Sequence, residues 1–294
     1  MLRLPGVAVS SPIVWGDRVF VSTAVSSDPS AGIRTGLYGD VEPAKDVSKH
    51  SWKLVALDKR TGKILWERVA HEGIPKTKRH PKSSQASATP VTDGRRVIVS
   101  FGSEGLYAYD VDGTLLWTRD LGVLNSGWFY DPEFEWGIGS SPIIWKNLVI
   151  VQCDIQKGSF LAAFDVATGA PIWRTAREEI PSWSTPAIYE SDGHAELVTQ
   201  ATTRLCRAIE ALRPAQPVKF VLMSSVSVNR PGRLDTRREM FELAFMWLLR
   251  GVIPPAKDNQ HAADFLHHSI GTDNPFVQWV AVRPDTLLEG DISE

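Results

Sequence analysis

Cysteine and methionine are scarce in this chain: its 294 residues include two cysteines, Cys153 and Cys206, and four methionines. Two thiols exclude a disulfide-stapled scaffold and a cysteine-based zinc site. No apolar run reaches the ~18 residues of a spanning helix. The closest, residues 243–253, is short and interrupted by Arg250. Neither sign of charge dominates. A net charge of −2 and a pI near 6.4 leave no basic footprint for nucleic acid and no acidic tail. The first five residues, Met1 to Pro5, lack the apolar core of a secretory signal, so the chain as written is expected in the cytoplasm. His261, His267 and His268 do not share the i, i+4 spacing of a zinc helix, and no metal site is expected. What is abundant is tryptophan: there are eleven, nine of them before residue 184.

The tryptophans belong to a repeat. Ala56-Leu57-Asp58-Lys59-Arg60-Thr61-Gly62 leads to Trp66. Ala108-Tyr109-Asp110-Val111-Asp112-Gly113 leads to Trp117. Ala163-Phe164-Asp165-Val166-Ala167-Thr168-Gly169 leads to Trp173. The aspartates are 52 and 55 residues apart. Each segment reads as a hairpin, in which a strand ends at Asp, a glycine turn reverses the chain and a second strand carries the tryptophan. A second motif is interleaved. Ser11-Pro12, Thr89-Pro90, Ser141-Pro142 and Thr185-Pro186 each open a strand, and each is followed by a β-branched run such as Val97-Ile98-Val99. Together they give four strands per unit of about fifty residues, the period of a propeller blade.

These residues resemble the blade of the PQQ-repeat-like (quinoprotein-type) β-propellers, with signature Ala-x-Asp-x-x-Thr-Gly-x-x-x-Trp. Ala56–Trp66 and Ala163–Trp173 match it in full; Ala108–Trp117 is one residue short. The resemblance covers residues 7–200. It implies that Trp66, Trp117 and Trp173 pack between blades, that pyrroloquinoline quinone is a cofactor of some relatives, and that the parent propeller is periplasmic or extracytoplasmic. About three and a half blades are present, the fourth stopping after residues 185–199. Open blade edges of this kind predict a protein partner or self-association.

After Gln200 the pattern changes. Residues 201–213, 237–250 and 257–270 read as helices, Val218–Met223 and Phe276–Val282 as strands, the last of them buried. This tail resembles the C-terminal half of an atypical short-chain dehydrogenase/reductase-like NAD(P)-binding domain. The resemblance rests on Phe220–Ser225, Asp258–Asp264 and Trp279–Asp285. It implies a Rossmann-like layer, with Ser225 polarising a substrate carbonyl and Arg283 and Pro284 near the nicotinamide. The family's glycine-rich phosphate loop and its Tyr-x-x-x-Lys pair are both absent here.

The expected fold is therefore mixed: an all-β, incomplete propeller over 1–200 and a partial α/β layer over 201–294. The chain reads as two cut domains joined near residues 200–205, chimeric or truncated and short of full catalytic competence. A functional fusion completed by partner chains is the alternative. The links entering each blade carry His80, Lys82, Trp136 and Trp183, and such links converge on one face of a propeller. That mixture of rings and polar groups suits a ligand mouth. The expected function is a ligand- or protein-binding scaffold. The alternative is an oxidoreductase, quinoprotein-like through the propeller or NAD(P)-dependent through the tail.

Overall fold

The computed structural model describes residues 4–34, 42–127, 131, 133–191, 194–199, 206, 209–223, 260 and 262–282. The chain forms two compact units, Met1–Ile188 and Tyr189–Glu294.

In the first unit each repeat folds into one four-stranded antiparallel sheet, or blade. The first blade holds β1 (Ile13–Trp15), β2 (Arg18–Ser26), β3 (His50–Asp58) and β4 (Ile64–Gly73). The second holds β5 (Val91–Thr92), β6 (Arg96–Ser100), β7 (Leu106–Asp110) and β8 (Leu115–Arg119). The third holds β9 (Ile143–Trp145), β10 (Leu148–Cys153), β11 (Phe160–Asp165) and β12 (Pro171–Ala176). In each, the strands pair in sequence order.

The middle blade is covered on both faces, so its inner strands are continuously apolar rather than alternating. Val97 and Val99 of β6 join Phe20, Trp52 and Leu54 of the first blade in one core. Ile98, between them, joins Val149, Val151 and Phe164 of the third blade in another. The outer strands β4, β8 and β12 are largely exposed.

Each repeat residue has a mechanical reason. The carboxylates of Asp58 and Asp165 close their turns by accepting the N–H and hydroxyl of Thr61 and of Thr168. Gly62, Gly113 and Gly169 then take φ of +70°, +89° and +68°, the left-handed region that a side chain disfavours. The repeat alanine faces the tryptophan across the ladder: Ala56 opposite Trp66, Ala108 opposite Trp117, Ala163 opposite Trp173. Beside each pair the register slips, leaving Leu65, Leu116 and Ile172 as the extra residue of a bulge.

Tryptophans and hydroxyls tie one blade to the next. The Trp66 indole N–H donates to Val111 O at 3.0 Å and the ring covers Gly113. Trp117 repeats this on Val166 O at 3.1 Å, covering Gly169. Trp173 occupies the same place on β12 and is half-buried. Near the strand openers, the N–H of Ser11 donates to Thr89 Oγ1, that of Thr89 to Ser141 Oγ, and that of Ser141 to Thr185 Oγ1, at 3.0, 2.9 and 3.0 Å. The Ser/Thr-Pro motif is thus a relay linking successive blade entrances.

The turn aspartates set an acid limit on this unit. The Thr61 and Thr168 hydroxyls hold the Asp58 and Asp165 carboxyls below the usual aspartate value. At Asp110 burial works upward, but the bonds from Thr114, Asp112 and Gly113 together outweigh it and this carboxyl is low as well. A folded-state pKa below the unfolded one adds stability that is fully present above the unfolded value and is lost as pH falls through the folded one. Unfolding followed by tryptophan fluorescence should therefore show stability falling from about pH 4 downward. In Asp58→Asn/Asp165→Asn that slope should be shallower. An unchanged slope counts against the turns as its source.

The boundary between the units falls within β13 (Ala187–Ser191), which pairs with β14 (His194–Val198) where the fourth blade is expected. Further on, β15 (Val218–Met223) and β16 (Val277–Val282) pair in parallel, Val218 opposite Val277 through Met223 opposite Val282. Parallel neighbours need a crossover connection. Before β16 the chain is helical over 262–265 and widens into a π-type turn, Leu266–Ile270, closed by Gly271 at φ +75°. Cys206, Ile209, Leu266, Ile270 and Val277 form this unit's core.

One expectation is corrected here: β16 is not a buried strand. Val277 is buried but Val280 is 51% exposed. Among the described residues β16 has a single neighbouring strand, so part of its length stays open. The described tail holds this one parallel pair of strands and short helical stretches at 206, 209–212, 260 and 262–265. Ser225, Arg283, Pro284 and the helix expected over 237–250 lie outside the described residues.

Candidate functional site

On the first unit, the loops entering successive blades bring three of the expected mouth residues together. His80 and Trp136 meet edge to face, centroids 5.3 Å apart, and Trp136 and Trp183 lie 5.8 Å apart. Phe134 adds an edge contact to Trp136 at 6.4 Å. The rings border an open cleft of about 320 Å³, lined by His80, Ser83, Trp136, Ile138, Trp183 and the backbone of Gly137 and Gly139. Lys82 does not line it. Its part is local: its backbone N–H donates to His80 Nδ1 at 3.1 Å. That bond makes Nδ1 the acceptor and leaves the neutral ring's proton on Nε2.

Each ring is held from behind. The Trp183 indole N–H donates to Gly137 O at 3.0 Å, and its ring remains 44% exposed. On either side of it, the Ser182 hydroxyl donates to Asp154 Oδ2 at 2.8 Å and the Ser184 hydroxyl accepts from Gln152 Nε2 at 3.1 Å. Asp154 is only 2% exposed and also takes Arg177 Nε at 2.8 Å and Gln152 Nε2 at 2.7 Å. Behind His80, the buried Arg79 guanidinium donates to the carbonyls of Ser83 at 2.8 Å and Gly32 at 2.9 Å. Burial lowers its pKa from the usual arginine value, and the charge of Asp46 works the other way. The Lys78 N–H donates to Glu135 Oε2 at 3.1 Å, tying the first link to the second.

Arg79, Gln152, Asp154 and Arg177 are absent from the sequence-based expectations. Apart from the Gln152–Asp154 contact two residues apart, the partners cited for them are 23 to 47 residues away or are backbone carbonyls, so no spacing marks them. Gly137 and Gly139 did carry a signal, two glycines straight after Trp136, where a bare backbone passes under Trp183.

The chemistry available here is stacking and a few hydrogen bonds. Among the described residues no carboxylate, lysine, arginine or cysteine lines the cleft. Burial pushes the Cys153 thiol up to about 12, far from a nucleophile's range. Among the described residues no group of three or more His, Cys, Asp or Glu is placed to hold a metal ion. Pyrroloquinoline quinone carries three carboxylates, for which the described lining offers no lysine or arginine, so these residues do not fit it.

A family model of PQQ_2 type, described as outer membrane protein assembly factor BamB, matches residues 47–206, more than half of the chain. The chain belongs to this family. No curated protein matches it. Among solved structures, BamB from Moraxella catarrhalis is similar at 17% identity and a TM-score of 0.33, over 66% of this chain and 42% of that one. A europium-containing methanol dehydrogenase is similar at 16% identity and a TM-score of 0.35, over 58% of this chain and 25% of that one. The chain thus spans less than half the length of either, and overlaps this loose do not decide function. Among the described residues of this BamB-family chain, no helix is long and apolar enough to cross a membrane.

Proposed function

We propose that the chain is a binding scaffold that takes a segment of a partner protein into the aromatic cleft. One observation carries this reading: three successive blade links each place one ring in a single contiguous surface, whose described lining holds no carboxylate, lysine, arginine or cysteine. Exposed aromatic surface of this kind supplies large contact area at low entropic cost. The name of the matched family, an assembly factor, supports a protein partner. A peptide-display selection on the full chain tests it. Selected peptides are expected to be rich in aromatic or proline residues, and Trp183→Ser should weaken them about tenfold, the loss of one good aromatic contact. Selection that is indifferent to Trp183→Ser and Trp136→Ser sinks the proposal. Dye reduction on adding quinone and Ca²⁺ would instead favour the oxidoreductase alternative.

For the tail, the parallel pairing of β15 with β16 supports the proposal of a partial NAD(P)-binding layer. Without a glycine-rich loop the pyrophosphate has no ready helix N-terminus, which normally carries much of the dinucleotide affinity. Isothermal titration with NADH and NADPH is therefore expected to give no dissociation constant tighter than about millimolar, ~4 kcal/mol of binding. A micromolar constant weakened by Ser225→Ala or Arg283→Ala would put the reductase reading first.

A further inference from the structure

The contact that joins successive blades is completed by two of the three repeat tryptophans. Trp66 and Trp117 each grip the turn of the following blade in the same way. The indole N–H donates to the carbonyl of the residue after the turn aspartate, Val111 at 3.0 Å and Val166 at 3.1 Å, and the ring lies over the turn glycine, Gly113 or Gly169. Arg68 and Arg119, two residues after each tryptophan, donate from Nε to the carbonyl of that same glycine. Trp173 holds the equivalent place on β12, opposite Ala163. It is half-buried, and its indole N–H has no acceptor among the described residues. The sequence after Gly169 contains no further Asp-x-x-Thr-Gly or Asp-x-Asp-Gly turn for it to cover. Trp173 does not line the aromatic cleft, so this is a separate surface.

The two covered turns and the uncovered one differ in a way that specifies the occupant. Each covered turn carries valine after its aspartate: Val166 is buried in the core between the second and third blades, and Val111 packs on the core between the first and second. The turn of the first blade has no tryptophan over it, and a Cβ on Gly62 would meet nothing within 4 Å. There the residues after the aspartate are Lys59 and Arg60, both exposed. Drawing that turn under a ring would strip water from their charges, a cost that valine does not carry. A second copy of this chain, whose uncovered turn is this one, is therefore a poor occupant. Thr175 stands where Arg68 and Arg119 stand in the other blades, so β12 offers the ring and the indole N–H alone. Continuing the interface that the first two tryptophans make, we propose that Trp173 docks a β-hairpin of a partner chain whose turn begins Asp-Val and closes on glycine, the valine carbonyl accepting the indole N–H and the glycine passing under the ring.

Two cyclised hairpin peptides test this on the full chain labelled with ¹⁵N-indole tryptophan. One has the sequence of residues 160–176, with the Asp-Val-Ala-Thr-Gly turn; the other has that of residues 53–69, with the Asp-Lys-Arg-Thr-Gly turn, and each is closed between residues that pair in the blade. The first peptide is expected to shift the Trp173 indole resonance, identified by its loss in Trp173→Phe, with a dissociation constant of about a millimolar. The second should bind at least about fivefold more weakly. Saturation transfer to the first peptide should show Trp173→Phe weakening it about fivefold, the loss of one hydrogen bond, and Trp183→Ser leaving it unchanged. Insensitivity to Trp183→Ser separates this surface from the aromatic cleft, so either can fail without the other. No shift of the Trp173 resonance at about 5 mM peptide, equal binding of the two turns, or self-association of the chain alone that Trp173→Phe abolishes would overturn the proposal.

Discussion

Gly169→Ala is expected to destabilise the first unit by ~2–4 kcal/mol, against ~1–2 kcal/mol for Gly62→Ala. Both glycines close the same turn, at φ +68° and +70°. An alanine in either therefore meets the same left-handed backbone penalty. The difference lies in what covers the turn. A Cβ on Gly169 would stand 2.6 Å from Trp117 Cδ2, whereas nothing described lies within 4 Å of one on Gly62. Trp117 has little room to retreat. Its N–H is fixed on Val166 O, and Arg119 Nε donates to the Gly169 carbonyl itself. The added methyl must lift the ring, break that contact or push the third blade away. Denaturant unfolding of the two variants side by side reads the difference. Equal losses would mean that the tryptophan contributes nothing beyond filling space, and that the blades are held by their apolar faces alone.

Breaking the buried ion pair of the third blade should cost more. Arg177→Met is expected to lower stability by ~3–5 kcal/mol, because it strands a buried carboxylate. Asp154, 2% exposed, would keep only Gln152 and Ser182 as donors to its side chain. Arg177→Met/Asp154→Leu removes both charges and should recover most of that loss, since apolar groups of similar size replace a buried pair at little cost. The same cycle has a functional readout. Ser182 and Ser184 flank Trp183 and are anchored on this network. The single variant should raise solvent quenching of Trp183 fluorescence, measured in a background with the remaining tryptophans replaced where the fold allows. A loss below about 1 kcal/mol for Arg177→Met would show the pair to be solvent-screened.

The aromatic cleft was legible only in part. His80, Trp136 and Trp183 could be named because each sits in a link just before a Ser/Thr-Pro strand opener, and links of that type share a face. Lys82 occupies the same kind of position and does not line the cleft. His80 takes the cleft position while Lys82, two residues on, supplies a backbone N–H, a distinction that loop sequence does not encode. In the tail, short apolar runs marked Val218–Met223 and Phe276–Val282 as strands. Their parallel pairing and the exposure of Val280 depend on which elements cover them.

The sequence by itself determined the repeat and its chemistry. Aspartate accepts turn N–H groups, glycine takes positive φ and tryptophan follows seven or eight residues after the aspartate, all within a dozen residues, where the physics is local. Only the tertiary structure decided the rest. The bulges at Leu65, Leu116 and Ile172 that accompany the tryptophan positions, the hydroxyl relay from Ser11 to Thr185, and the Arg177–Asp154 network behind Trp183 all join groups brought together by blade stacking. Each depends on which residue stands opposite in the next strand or blade, and side-chain contact across that gap leaves no period in the chain.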